Sequence, residues 1–347
     1  MFRVGICGFG KMGQIRADSL LSTGDVEIVK VFDKHINEDV KYAKAESFDE
    51  IIEDDSIDAI CICLPNNKNY ELTIKALKQG KHVLCEKPPA FTVAQVEHII
   101  QVEEESGKTL MYGFNHRHHD AVVRMKELLE SGEFGKVLWM RGRYGKSVDD
   151  SYFNEWRADK DLAGGGILFD QGIHMLDLFL YLGGSFDQVH AFVSNLYWKL
   201  EGIEDNVFAI MKNSKTGLVA SLHSTMTQWR HLFSLEIFLE SGYMVLNGLK
   251  TGSGSYGEEV LTIARNRSKA PAATWSDEES FHFEIDNSWD REAQIFIDSI
   301  KQMKKPELGS STDALNVMKL IEEIYENERD ESESLNTEIK MSEKLNG

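Results

Sequence analysis

Short β-branched runs alternate with helix-like stretches through residues 1–115, and this alternation constrains the fold more than any other feature of the chain. Phe2–Cys7 reads as a strand, Met12–Ser22 as a helix and Val26–Phe32 as a second strand. A short helical segment, Asp49–Glu53, precedes the strand Ile57–Leu64, which Pro65-Asn66 ends. Asn69–Gln79 reads as a helix stopped by Gly80, a residue suited to a left-handed C-cap. His82–Cys85, Thr92–Ser106 and Thr109–Tyr112 continue as strand, helix and strand. Strands separated by helices of about 10–15 residues build βαβ units and hence a parallel sheet. The unbroken apolar run Ala59-Ile60-Cys61-Ile62-Cys63-Leu64 fits a strand covered on both faces.

The pattern then changes. After an amphipathic helix at Ala121–Ser131 come longer alternating runs: Val137–Tyr144, Gln188–Trp198, Asn206–Met211, Gly217–Thr225 and Phe233–Leu239. Such runs with few intervening helices predict a largely antiparallel sheet. The Gly/Ser-rich stretch 251–257 reads as a loop, and helices are expected at Trp289–Met303 and Thr312–Tyr325. The fold class is therefore α/β: a parallel-sheet domain over 1–119, then an α+β domain with a large open sheet over 120–330. Residues 331–347 are charge-rich and apolar-poor, an acidic tail expected to fray.

Charge excludes some partners. Thirty-eight basic against 57 acidic side chains leave a formal net charge of −19, which repels a phosphate backbone or an anionic membrane surface, so no nucleic acid and no membrane are expected. No segment approaches the roughly 20 uncharged apolar residues of a membrane span, and the N-terminus enters a strand without a signal-peptide pattern. Cys7, Cys61, Cys63 and Cys85 all lie in apolar runs and read as packing residues of a cytoplasmic protein. No metal is expected, because no second cysteine or histidine pair stands at ligand spacing.

Gly8-Phe9-Gly10-Lys11-Met12-Gly13 is a G-x-G-x-x-G between a predicted strand and a predicted helix. The glycines serve a tight turn, room for a pyrophosphate and close helix–strand packing, while the helix N-terminus attracts the phosphates. Asp33 follows Gly13 by 20 residues at the end of the second strand, the spacing at which an acid accepts from the adenosine ribose. It would repel a 2′-phosphate, so NAD is favoured over NADP, although Lys34 beside it blurs that preference.

Two further clusters carry chemistry. Glu86-Lys87-Pro88-Pro89 follows the strand His82–Cys85, at the strand ends where ligands of such sheets bind. Pro88 restricts Lys87 and could hold its amine toward a cleft; the competing reading is a solvated surface lysine. Gly164-Gly165-Gly166 opens a helical pattern in which Asp170 and His174, four apart, share a face. A carboxylate beside an imidazole makes a general base. An exposed Asp–His pair of minor energetic weight is the alternative. The glycines would let backbone approach a cofactor or substrate closely.

Gly8–Gly13, the stretch Gly80–Pro88, Gly113-Phe114-Asn115-His116-Arg117 and Gly164–Asp177 occur in an order and spacing that resemble the glucose–fructose oxidoreductase/inositol dehydrogenase family. The likeness runs to about residue 328. It implies an N-terminal Rossmann domain, an open C-terminal sheet that makes homodimer or homotetramer contacts, and oxidation of a secondary hydroxyl of a sugar or cyclitol. Carried over, the catalytic residues are Lys87, Asp170 and His174. The cofactor side is Gly8–Gly13, Asp33, Pro65, Asn66, Glu86 and Lys87, and the substrate side Asn115, Arg117, Trp156, Arg157, Asp170 and His174. Asn69 departs from the family pattern, which usually has histidine there. Trp156-Arg157 and Gln228-Trp229-Arg230-His231 look most like members acting on nucleotide-activated or amino sugars. Trp229 and Arg230 join Arg117, Trp156 and Arg157 as candidates for gripping substrate, with Arg157 suited to a pyrophosphate. An inositol-type dehydrogenase, a keto-sugar reductase and a cofactor-binding regulator without catalysis remain alternatives.

Overall fold

A computed structural model describes residues 1–35 and 39–345. The chain divides into two compact units. One comprises Met1–Arg124, Glu155–Gly164 and Phe283–Met318; the other comprises Met125–Asn154, Gly165–His282 and the residues from Lys319 onward. Segments 155–164 and 283–318, which the sequence reading placed in the second domain, thus pack in the first unit.

Among the described residues the first unit holds six strands: β1 (Phe2–Cys7), β2 (Val26–Phe32), β3 (Ala43–Lys44), β4 (Ala59–Ile62), β5 (His82–Cys85) and β6 (Leu110–Tyr112). All pair in parallel, in the order β3-β2-β1-β4-β5-β6. The order reverses at β1, so the crevice for a dinucleotide lies at the carboxyl ends of β1 and β4. Local chemistry sets the helix ends. Thr92 caps Val93–Ser106 by accepting from Gln95 N, and Gly107 closes it in left-handed backbone at φ 63°. Val4, Ile6, Leu20, Val31, Cys61 and Leu84 share a core with Phe296 and Ile297 from the late helix Ser288–Gln302. That helix packs on the first helix, Lys11–Ser22.

The second unit is built on eight strands: β7 (Val137–Ser147), β8 (Gln188–Ser194), β9 (Asn206–Lys212), β10 (Val219–Thr225), β11 (Thr227–Leu239), β12 (Gly242–Asn247), β13 (Glu259–Arg265) and β14 (Glu279–Phe283). Their order is β14-β13-β12-β11-β7-β10-β9-β8. The sheet is mostly antiparallel as expected, but β7 and β10 pair in parallel. The last three strands were not anticipated. On β9, Val207, Ala209 and Met211 point inward while Phe208, Ile210 and Lys212 face out. Met175 and Phe179 of the helix Ile173–Gly183 lie within 2.7 Å of where a Cβ on Gly142 would stand, so only glycine lets that helix sit so close to β7.

Two other expectations are corrected. The strand expected over Ile57–Leu64 shrinks to Ala59–Ile62, since only that stretch pairs with both β1 and β5. The stretch 331–347 expected to fray is helical as far as Leu345, where the final helix from Ser311 ends, and residues 346–347 lie outside the described residues. That tail has no glycine or proline before residue 347 and is rich in Glu, Lys and Leu, all good helix formers.

Candidate active site

In the first unit the glycine loop turns directly out of β1. Gly8 has φ 92° and sits where a Cβ would fall 2.2 Å from Cys63 O; a Cβ on Gly13 would fall 2.1 Å from Gly8 O. Both positions admit nothing but glycine. Gly10 differs, since a Cβ there would meet nothing within 4 Å, and it caps the first helix without a side chain. This open cradle at a helix N-terminus, with Lys11 exposed beside it, fits a pyrophosphate. Phe9 is buried, and its N–H donates to Asp33 Oδ2 at 2.8 Å, while His35 N donates to Asp33 Oδ1 at 2.9 Å. Asp33 therefore tightens the loop as a double acceptor and keeps further lone pairs unused by these two bonds.

Lys87 follows β5, at the carboxyl ends of the same sheet, and is half-buried. Asn69 is fully buried, and its Nδ2 donates to Glu86 O at 3.1 Å and to Pro88 O at 2.8 Å, one carbonyl on each side of Lys87. The residue that breaks the family pattern thus braces the lysine loop. Glu86 accepts from Arg16 Nε at 2.7 Å, and Arg16 also pairs with Glu292 and lies 4.7 Å from the Trp289 ring centre. Fully buried and doubly paired, the Arg16 guanidinium is held strongly protonated by Glu292 and Glu86 against the cost of its burial. Asn66 Nδ2 donates to Ala163 O at 2.8 Å, with Pro65 just before it in the chain.

Asn115 and Arg117 are buried in this unit. Asn115 Nδ2 donates to Ser288 Oγ at 3.2 Å, and Arg117 pairs with Asp313 at 3.1 Å. Arg157 lies 4.4 Å from the Trp156 ring centre and 3.5 Å from Glu155.

In the second unit Asp170 and His174 do not stand on one regular α-helix. Leu168–Gly172 forms a π-helical turn that runs into the α-helix Ile173–Gly183. Such turns often occur at functional sites. Asp170 Oδ2 accepts from Lys146 Nζ at 3.0 Å, a residue of β7 that the sequence reading missed. His174 is buried, with the Tyr144 ring centre 6.5 Å away. Tyr256 packs edge-on against Tyr144 at 5.3 Å, and its hydroxyl lies 3.5 Å from Gln171 Oε1. Burial, then neighbouring charge, pushes both phenols well above their usual pKa, so both remain protonated donors. Tyr256 comes from the stretch 251–257 that read as a bare loop; its one aromatic among glycines and serines was the available signal.

The glycines before the turn are closely packed. A Cβ on Gly166 would fall 2.1 Å from Glu204 O, and one on Gly164 would fall 2.4 Å from the Phe91 ring. Buried Glu204 accepts from Gly166 N at 2.7 Å, Leu168 N at 2.9 Å and Tyr325 Oη at 2.9 Å, fixing the start of the turn that bears Asp170. Among the described residues no group of three or more His, Cys, Asp or Glu could hold a metal ion, and no helix is long and apolar enough to cross a membrane.

Fold and site together define a Rossmann-type nucleotide-binding unit joined to an open, mostly antiparallel sheet. Residues 2–114 match the GFO/IDH/MocA oxidoreductase family model with an NAD-binding Rossmann fold, and residues 122–245 match that family's C-terminal domain. The chain belongs to the GFO/IDH/MocA oxidoreductase family. It is 32% identical over 190 residues to D-glucoside 3-dehydrogenase of Escherichia coli, covering 52% of this chain and 54% of that protein. It is 31% identical over 191 residues to myo-inositol 2-dehydrogenase of Thermotoga maritima, covering 52% and 55%. These alignments span about half the length of each relative. A levoglucosan dehydrogenase solved with NADH and levoglucosan superposes with a TM-score of 0.83 at 23% identity, covering 95% of this chain and 98% of that one.

Proposed function

We propose that this protein is an NAD-dependent dehydrogenase that oxidises a secondary hydroxyl of a sugar. The observation that carries the reading is the pairing, at the carboxyl ends of one parallel sheet, of an open glycine cradle with a lysine loop braced by Asn69. The names of the relatives, which describe dehydrogenases of a glucoside and of inositol, support the substrate class.

Gly8–Gly13 would hold the cofactor pyrophosphate and Asp33 its adenosine ribose, which favours NAD over NADP. When bound, the nicotinamide supplies the hydride acceptor. His174 takes the hydroxyl proton as general base, Lys87 donates a hydrogen bond to the same oxygen as negative charge grows on it, and Asp170 orients the imidazole. Lys146 beside Asp170 holds the carboxylate in place by an ion pair at 3.0 Å. The likeness of Trp156-Arg157 and Gln228–His231 to members acting on nucleotide-activated or amino sugars supports that narrower substrate class. The exposed apolar side chains on the outer face of the second sheet, Trp139, Phe192, Phe208 and Ile210 among them, support a homodimer or homotetramer. The free cysteines and the acidic composition suit a cytoplasmic protein.

The test is a panel of nucleotide sugars, amino sugars, simple glycosides and inositols, read as growth of reduced-nicotinamide absorbance. A keto-sugar panel with NADH covers the reverse direction. Turnover with a sugar is expected; tight NAD binding with no turnover in either direction would instead indicate a regulator. Asp33→Ala should weaken NAD binding more than NADP binding, and equal weakening would remove the acid from the ribose.

A further inference from the structure

Several aromatic rings of the second unit are held out of the protein rather than in it. Trp229 is 58% exposed, Tyr197 59% and Phe153 48%. They form one group: Tyr197 meets Trp229 edge-on at 4.9 Å and Trp198 at 5.0 Å, and Trp198 meets Phe153 at 5.9 Å. Apolar surface of this size left to water marks a binding surface when it is clustered.

The group is firmly anchored. Buried Asp205 accepts from the N–H groups of Leu196 at 3.0 Å, Tyr197 at 2.7 Å and Trp198 at 2.9 Å, and Trp198 Nε1 donates to Met226 O at 3.2 Å. Trp229 lies in left-handed backbone, φ 55°, inside a bulge where β11 steps from Thr227 to Leu232 while β7 advances only from Ser147 to Gly145. A tryptophan at such a φ persists only where the surroundings fix it.

The platform is continuous with the surroundings of Asp170. His231, on the same bulge, meets Tyr256 edge-on at 4.9 Å, and Tyr256 reaches Gln171, the neighbour of Asp170 in the chain. The dipeptide Glu204-Asp205 ties the two together from beneath. Glu204 holds the turn that bears Asp170, and Asp205 holds the loop that bears Tyr197 and Trp198.

We propose that this platform is a second subsite, which receives a ring carried on the reacting sugar. It rests on the dehydrogenase reading above. An indole face stacks equally on a nucleobase or on the C–H face of a second pyranose, so the appended ring comes from a nucleotide sugar or from a glycoside. Exposed Arg230, next in the chain to Trp229, presents a guanidinium that can meet a phosphate or ring hydroxyls.

The experiment measures binding and turnover for a monosaccharide, for disaccharides containing it and for its nucleotide-activated form. Binding is read by saturation-transfer NMR, so it registers whether or not hydride is transferred. The appended ring should tighten binding about three- to tenfold. Trp229→Ala should abolish that advantage, and Trp229→Phe should restore most of it. Trp229→Gly, which removes the ring and suits the left-handed backbone, should behave like the alanine variant if folding is not at issue. Preference for the nucleotide sugar or for the disaccharide identifies the source of the ring. No advantage from an appended ring, or an advantage that survives loss of the indole, overturns the subsite. So does a change of oligomeric state in Trp229→Ala, which would make the platform an interface between copies. Ring-dependent binding without NADH formation from any sugar would overturn the dehydrogenase reading alone.

Discussion

The two regions proposed to carry the reaction are built by opposite means. Around Gly8–Gly13 the cradle is backbone: absent side chains, a helix N-terminus and one carboxylate 20 residues on define it. Around Asp170 the surroundings are side chains gathered from distant parts of the chain: Lys146 and Tyr144 from β7, Tyr256 from a loop, and Glu204 beneath the turn. Where backbone makes the site, tolerance is narrow and the ligand class is fixed; where side chains make it, the ligand can change by substitution while the fold stays.

That contrast can be broken by experiment, starting with the largest expected effect. His174→Ala should lower kcat about 100-fold or more while leaving NADH affinity, followed by fluorescence titration, nearly intact. A double-mutant cycle with Lys87→Met should be strongly non-additive if both groups act on one oxygen; additive losses would separate them. Gly13→Ala should do the reverse of His174→Ala. Its methyl would overlap Gly8 O, so the loop must shift out of place and the Kd for NAD should rise about tenfold or more. An alanine variant with unchanged NAD affinity would dissociate the loop from the cofactor.

Asn69→Ala sharpens the comparison within the first unit. It removes both donors from the carbonyls that flank Lys87, and should cost about 1–3 kcal/mol in urea unfolding together with a fall in kcat. Asn69→His, which installs the residue usual in the family, should recover more of kcat than alanine does. A loss of stability with kcat untouched would make Asn69 a packing residue only.

The last effect is a pH dependence of stability alone. Burial, with Arg117 next in weight, holds the His118 pKa down to about 3, and its Nε2 is buried without a hydrogen-bond partner. The unfolded chain, with an ordinary histidine near 6.5, binds more protons than the native state between these values. Stability therefore falls as pH drops from about 6.5 toward 3, by up to about 1.4 kcal/mol per pH unit from this residue. His118→Gln should flatten that slope in urea titrations at pH 7 and 5; an unaltered slope would place the acid sensitivity elsewhere.

Much of the first unit was legible because each element announces itself locally. β1, β2 and β5 fall at the expected residues, and the Gly8–Gly13 stretch lies between β1 and the first helix with Asp33 bonded to it. The second unit was legible only as a class of sheet. Only two residues separate β11 from β12, and β13 follows a Gly/Ser-rich stretch that reads as a loop. Lys146 was invisible as a partner of Asp170 because they are 24 residues apart on different elements. Asn69 was noticed as a departure, but its task depends on where the chain returns after β5.

Sequence alone determined the alternating parallel sheet, the glycine loop and the acid that tightens it, since periodicity, missing side chains and short spacings act over a few residues. Tertiary structure decided that the helix Ser288–Gln302 completes the first core, that Asp170 faces a lysine, and that aromatic rings are held outward by a buried aspartate. Those outcomes depend on contacts between residues far apart in the chain, whose pairing is set by burial and hydrogen-bond satisfaction across the whole fold rather than by any local preference.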